Sequence, residues 1–223
     1  MERRQIRVCS RTWRGLGRSA GRPAVVLIAA LAALVGLMGS VHSAWAGGAT
    51  DAVKSTIDEV LRILRDKDLK KPERAEERRH LLEKVIGDRF NYEEMSKRSL
   101  GAPWHQLSEQ ERQEFVQLFR TLLTNSYADK IESYSGEPVQ YVNERTEKDF
   151  AEVRTKIVSG KAEIPLDYRL LNRNGEWRVY DVVIDGVSLV NNYRGQFTKI
   201  IRTSSYADLV EQLRKKSDKI KAP

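Results

Sequence analysis

Apolar residues recur at helical spacing in the first part of the segment that follows residue 50. Over residues 51–68 they occupy one face of an amphipathic helix. Pro72 stands where a second helix begins, as a first-turn proline, and Gly87 marks the predicted end of that helix. A short third helix is predicted over residues 91–99, closed by Gly101.

The longest predicted helix begins at a capping box. Ser108 satisfies an amide near Glu111, and the Glu111 side chain reaches back to the start of the helix. The helix is expected to stop at Gly136, with Pro138 beyond it. Its aromatic-rich apolar stripe consists of Phe115, Leu118, Phe119, Leu122, Tyr127 and Ile131.

After Pro138 the apolar period changes to two, which predicts about four antiparallel strands with one half-buried face. Asn174-Gly175 is the preferred sequence for a two-residue hairpin turn. Pro165 predicts an edge position or a bulge for its strand. One face of the last strand is predicted to carry Trp177, Val179, Asp181 and Val183.

Two helices are predicted after the sheet. Ser188 can cap the first, and a second capping box runs from Ser205 to Asp208. This order of elements predicts one α+β domain, with the sheet curled against the helices in a way that can enclose an apolar cavity. Its parts are a helical region over 51–136, a sheet over 138–185 and C-terminal helices over 188–216.

The first 46 residues have the three zones of a secretory signal peptide. Seven arginines precede an uncharged run over residues 24–38, and Ala44-Trp45-Ala46 provides an A-x-A cleavage site. The run has 15 residues, fewer than the roughly 20 that a spanning helix needs. Cleavage after Ala46 is therefore predicted. The removed segment contains Cys9, the one cysteine, so the mature chain suits an oxidising compartment.

The formal net charge of +8 initially points to a nucleic-acid partner. The signal segment, however, holds seven basic residues and one acidic residue, so its removal leaves a net charge of +2 on 177 residues. A charge that small indicates no acidic polymer as partner. No nucleic-acid partner is predicted.

The mature chain offers little for catalysis or metal binding. It retains His80 and His105, and Glu76 lies four residues before His80 on a predicted helix. Two ligands do not complete a zinc site, which needs three or four. The sequence motifs of serine hydrolases, zinc proteases and nucleotide-binding loops are absent. No catalytic residue, metal or cofactor is predicted.

Asp181 is the one polar residue on the apolar face of the last predicted strand. If that face is buried, the carboxylate must be paired, and Arg194 is a plausible partner. A structural ion pair or a helix cap is favoured over a catalytic role.

The segment 167–197, DYRLLNRNGEWRVYDVVIDGVSLVNNYRGQF, closely resembles the signature of the toluene-tolerance family, also called the Mla-pathway periplasmic phospholipid-binding proteins. Residues 174–190 and 192–197 match almost throughout. The upstream residues that also fit the family pattern are Trp104, Leu107, Phe115, Phe119 and Tyr127.

This resemblance implies a soluble, monomeric, non-enzymatic carrier in the periplasm that holds phospholipid acyl chains in a deep apolar cavity. It implies two partners, an outer-membrane lipoprotein–porin complex and an inner-membrane ABC transporter with an MCE-domain protein, in a pathway that maintains outer-membrane lipid asymmetry. The candidate cavity residues are Phe115, Phe119, Leu122, Tyr127, Val139, Tyr141, Val153, Ile157, Leu166, Tyr168, Val183, Tyr193 and Phe197.

Three alternatives remain open from the sequence. The cargo can be a hopanoid, as in a branch of the same family. A small α+β isomerase or hydratase would need a carboxylate or a histidine inside the pocket, for which Asp181 is the candidate. An unprocessed N-terminus would favour a signal-anchored scaffold protein.

Overall fold

The computed structural model describes residues 48–160 and 162–221. The predicted signal peptide lies outside these residues. The α-helices are α1 (Ala49–Arg65), α2 (Ala75–Arg89), α3 (Tyr92–Leu100), α4 (Glu109–Glu132), α5 (Leu189–Thr203) and α6 (Tyr206–Lys221), with short 3-10 turns at Pro72–Arg74 and Ala102–Gln106. The strands are β1 (Val139–Glu147), β2 (Phe150–Ser159), β3 (Ala162–Arg173), β4 (Glu176–Ile184) and β5 (Val187–Ser188).

The strands form one antiparallel sheet in sequence order, and it stays open because β1 and β5 occupy its two edges. The α+β prediction is confirmed, with a two-residue β5 added to the four expected strands. No helix in the described part of the chain is both long enough and apolar enough to cross a bilayer.

Of two local predictions, one is wrong and one is confirmed. Gly87 does not end α2, which continues to Arg89; a Cβ there would lie 2.9 Å from the Arg120 guanidinium, so a larger residue would displace that side chain. Pro165 lies at a local edge, as predicted, because it pairs with Lys156 of β2 while the β3–β4 pairing begins only at Leu166. Its carbonyl accepts a hydrogen bond from the backbone N–H of Asp185 in the turn beyond β4, and the missing N–H removes no bond between β3 and β4.

A β-bulge changes the two faces of β4. Leu170 pairs with Val179, but Arg169 pairs with Asp181, which leaves Tyr180 as the extra residue. Val179 shares the inner face with Val182. Asp181, which was predicted on the same face as Val179, therefore lies on the opposite one.

The interior has two main cores. One joins α1 to the inner face of the sheet through Val53, Val153 and Leu170. The other joins α3, α4, α5 and α6 around aromatic rings, with Phe119 5.2 Å from Tyr193 between ring centroids. A smaller cluster packs α1 against α2. The predicted capping box at Ser108 and the cap at Ser188 are both present.

Candidate functional site

An apolar cavity of about 500 Å³ lies between the inner face of the sheet and helices α1, α2 and α4. Strand alternation and helical periodicity bring one face of each element to it. The aliphatic lining residues are Val53, Ile57, Val60, Leu61 and Leu64 of α1, Leu82 and Ile86 of α2, Leu123, Ala128 and Ile131 of α4, Val139, Ile157, Ile164, Leu166, Val179, Val182 and Ile184 of the sheet, and Leu189 of α5.

Helix α1 forms one wall, and its start is held by the edge strand. The backbone N–H and the hydroxyl of Thr50 donate to Glu144 of β1, at 2.8 and 2.5 Å. Burial opposes ionisation of Glu144, but the hydrogen bonds from Thr50, Thr146 and the backbone of Ala49 together outweigh it and lower the pKa of that carboxyl. The helix is thereby fixed across the sheet, with the stripe that includes Ile57 and Leu61 facing the cavity.

Tyrosines supply polar atoms around the cavity. Burial raises the pKa of Tyr168, and more weakly that of Tyr127. The hydroxyl of Tyr134 donates to the carbonyl of Glu137. These phenols stay protonated at neutral pH, so they add no charge to the lining.

Three cationic and two acidic side chains border the cavity, namely Arg79, Arg89 and Lys130, with Glu83 and Glu132. Arg89 is half-buried and held in place, because its guanidinium donates to Thr56 Oγ1 at 3.0 Å and to the carbonyl of Trp177 at 2.8 Å. Arg79 is partly exposed, and Lys130 and the lining residue Ile164 are exposed. Exposed lining residues mark where the cavity reaches the surface.

Five of the sequence-predicted cavity residues line this cavity. They are Tyr127, Val139, Ile157, Leu166 and Tyr168.

The other eight lie elsewhere. Phe115, Phe119, Tyr193 and Phe197 form the aromatic core of the helical half, and Leu122 packs against it. The α4 residues share a face, as predicted. That face packs against α5 and α6 and does not border the cavity.

The remaining three predicted residues belong to the sheet. Val153 is completely buried in the core under α1, and Tyr141 packs against the same cluster. Val183 faces away from the cavity because the bulge at Tyr180 turns Val182 inward in its place.

Asp181 is paired, but not with Arg194. Its Oδ2 accepts from Arg169 at 3.1 Å and from the Ser188 hydroxyl at 2.7 Å, and its Oδ1 accepts from the backbone N–H of Val190 at 3.1 Å. The carboxylate thus holds the first turn of α5 to the sheet. The predicted Asp181–Arg194 pair is wrong, because Arg194 is exposed and its guanidinium lies against Gly101.

Glu76 and His80, the candidate metal ligands, are both exposed on α2, and His105 is exposed on the 3-10 turn after α3. Within residues 48–160 and 162–221, no three histidine, cysteine or acidic side chains are grouped to hold a metal ion.

Sequence reasoning missed the walls formed by α1 and α2. The apolar stripe of α1 was visible in the sequence, but a stripe alone does not reveal whether a helix borders core or cavity. The residues of β4 that face the cavity could not be predicted without knowing the position of the bulge.

Comparisons with known proteins agree with the resemblance. An intermembrane phospholipid transport system binding protein MlaC from Haemophilus influenzae is 26% identical over 129 residues. The alignment covers 55% of this chain and 60% of that relative. A solved phospholipid-binding protein from Ralstonia solanacearum, in complex with a phospholipid, has a TM-score of 0.68 and 26% identity, covering 78% of this chain and 98% of that one.

The family model described as MlaC protein matches residues 54–215. The matched region begins in α1 and ends in α6, so it includes every wall of the cavity as well as the aromatic core. The chain belongs to the MlaC family.

Proposed function

We propose that this protein is a periplasmic carrier that holds the acyl chains of a phospholipid in the cavity and moves the lipid between membranes. The apolar cavity carries the proposal: its volume of about 500 Å³ falls in the range of roughly 300–1,000 Å³ typical of small-molecule sites. The similar Ralstonia solanacearum protein was solved with a phospholipid, which supports the same class of ligand here.

The energetics favour transfer in contact with a membrane protein. Two acyl chains of about 30 methylenes, at ~0.8 kcal/mol each, oppose release into water by on the order of 20 kcal/mol. An apolar cavity replaces the bilayer interior and leaves a small net transfer energy. Exchange then takes place while the protein is docked, with the cavity mouth facing its partner.

The proposal assigns the acyl chains to the five lining residues predicted from the sequence, together with the walls of α1 and α2. Tyr168 and Leu166 would contact the chains from the sheet, and Ile57 and Leu61 would contact them from α1. The eight residues outside the lining are assigned to packing instead.

A non-enzymatic role agrees with the position of Asp181. The enzyme alternative needed this carboxylate in the pocket. In the structure it lies on the opposite face of β4, bound to Arg169 and to the first turn of α5.

The remaining parts of the proposal concern the cell. Export by a signal peptide cut after Ala46 would bring the chain to the periplasm. The proposed partners are an outer-membrane lipoprotein–porin complex and an inner-membrane ABC transporter with an MCE-domain protein. Between them the carrier would help to maintain outer-membrane lipid asymmetry.

Native mass spectrometry of the purified mature protein tests the carrier function. Copurified phospholipid is expected, and Ile157→Trp, which fills the cavity from β2, should carry less lipid. The matched control is Val142→Trp, because Val142 is 55% exposed on β1 and should tolerate the ring with unchanged loading. A mature protein that never takes up phospholipid from vesicles would overturn the proposal, and copurified hopanoid would change the cargo.

A further inference from the structure

Arg79 is one of three cationic side chains that border the largely apolar cavity, and two carboxylates, Glu83 and Glu132, also lie in its lining. Helices α2 and α4 run antiparallel beside it: Arg78 reaches Glu132 at one end, and Gly87 faces Arg120 at the other. Arg79 borders the cavity at the end marked by Arg78 and Glu132.

The charge of Arg79 is only partly neutralised by acidic neighbours. Arg78 already binds Glu132 at 2.7 Å. The Nε of Arg79 stands 3.4 Å from the same carboxylate, but in the described part of the chain that buried nitrogen has no hydrogen-bond partner. Its other ionic neighbour, Asp129, is 3.8 Å away with a fully exposed side chain, and such a pair contributes little.

The position of Arg79 suits a ligand that is apolar on one side and anionic on the other. Its side chain is 42% exposed, so it contacts both the cavity and water. A guanidinium presents donors in a planar fork that matches the oxygens of a phosphate. In a phospholipid, the phosphate lies at the end of the acyl chains, where the apolar cavity meets the surface.

We infer that Arg79 binds the phosphate group of the lipid cargo. This inference rests on the proposed carrier function and adds a recognition element to it. Every glycerophospholipid carries this phosphate, so the protein would select phosphorylated lipids while tolerating different head groups beyond the phosphate.

A second cationic lining residue provides a matched control. Lys130 also borders the cavity and is exposed. It lies two residues from Glu132 on α4, which places it on a different side of that helix, with its Nζ 5.6 Å from the ring centroid of Tyr127. Removing the charge of Lys130 changes the net charge of the protein by the same amount as removing the charge of Arg79, but it leaves the Arg79 guanidinium in place.

The test compares uptake of two lipids by the delipidated mature protein from donor vesicles. The lipids are phosphatidylglycerol and a diacylglycerol with identical chains. The wild type should prefer the phospholipid, and Arg79→Gln should lower phospholipid uptake roughly tenfold or more, the size expected for losing a charge-assisted hydrogen bond. Diacylglycerol uptake should not change, and Lys130→Gln should keep the preference.

Each other outcome has a defined meaning. If Arg79→Gln keeps the preference while its thermal unfolding matches the wild type, the inference is wrong and the carrier function stands. If Lys130→Gln loses the phospholipid preference to the same extent, the preference comes from the overall positive charge and the specific role of Arg79 is wrong. If the wild type takes up neither lipid, the carrier function fails as well.

Inorganic phosphate distinguishes the lipid from a free anion. Titrated alone into the delipidated protein in a calorimeter, it should give no heat that depends on Arg79, because the acyl chains are needed to bring the phosphate to the rim. Binding of inorganic phosphate that Arg79→Gln abolishes, without any phospholipid preference, would assign the site to a free anion.

Discussion

Replacing Asp181 by asparagine should destabilise the protein strongly, because this carboxylate joins the sheet to α5. It is 3% exposed and accepts hydrogen bonds from Arg169, Ser188 and the backbone of Val190. Asparagine has one acceptor oxygen, so at least one donor would face the amide N–H₂ group instead.

The magnitude follows from the surroundings of the ion pair. Breaking a fully buried pair costs about 3–5 kcal/mol. The Arg169 side chain keeps 36% of its surface exposed and lies 3.5 Å from Glu152, so part of its charge stays solvated and paired. We therefore expect Asp181→Asn to lower the free energy of unfolding by about 2–4 kcal/mol.

Urea denaturation of the delipidated mature protein, followed by circular dichroism, measures this loss as a lower midpoint with an unchanged slope. Glu152→Gln is the matched control. It removes the more exposed carboxylate that faces Arg169 and should cost less than about 1 kcal/mol. Equal losses for the two variants, or a loss below about 1 kcal/mol for Asp181→Asn, would refute the reasoning.

Three further predictions follow from other parts of the structure. Phe119→Ala should lower the free energy of unfolding by about 3–5 kcal/mol but leave lipid uptake per folded molecule unchanged in the vesicle assay; a selective loss of uptake would place Phe119 at the cavity instead. Gly101→Ala should lower the free energy of unfolding by about 1–3 kcal/mol in urea denaturation, because the φ of Gly101 is +67° and a Cβ would lie 3.2 Å from the Arg194 guanidinium. Arg194→Ala should lower it by less than about 1 kcal/mol, and a larger loss for Arg194→Ala than for Gly101→Ala would contradict this reasoning. Burial raises the pKa of Tyr141 to about 12, so the stability it contributes is present below about pH 10 and is lost as the pH rises toward 12. Denaturation at about pH 9 and about pH 11.5 should then show a smaller loss for Tyr141→Phe than for the wild type, and an equal loss would argue against the shift.

Local sequence patterns predict the helices and strands of this fold, but they do not predict which elements pack against one another. The capping boxes and period changes predicted the helices and four strands because both depend on nearby residues. The aromatic stripe of α4 was also correct, but periodicity defines a face without saying what covers it. Phe115 and Phe119 therefore seemed suited to the cavity, while α5 and α6 in fact cover them.

The partner of Asp181 shows the same limit in one hairpin. The Asn174-Gly175 turn sets the register of β3 and β4, and counting outward from it pairs Leu170 with Val179, as observed. Continued without interruption, the count would place Arg169 opposite Tyr180. The bulge shifts the register by one residue, so Arg169 meets Asp181 instead, and no local pattern in the sequence announces that shift.

Met95 and Leu123 belong to both the aromatic core and the cavity lining, but the other buried residues of that core do not line the cavity, and this difference bears on how loading affects local stability. In hydrogen exchange, backbone amides of α4, α5 and α6 next to Phe119 and Tyr193 should open only with global unfolding. Amides of α1 and α2 border a space that is emptied and refilled, so their protection should rise and fall with cargo. The amides beside the aromatic core would thus keep constant protection during transport, whereas the protection of the amides in α1 and α2 would depend on whether lipid is bound.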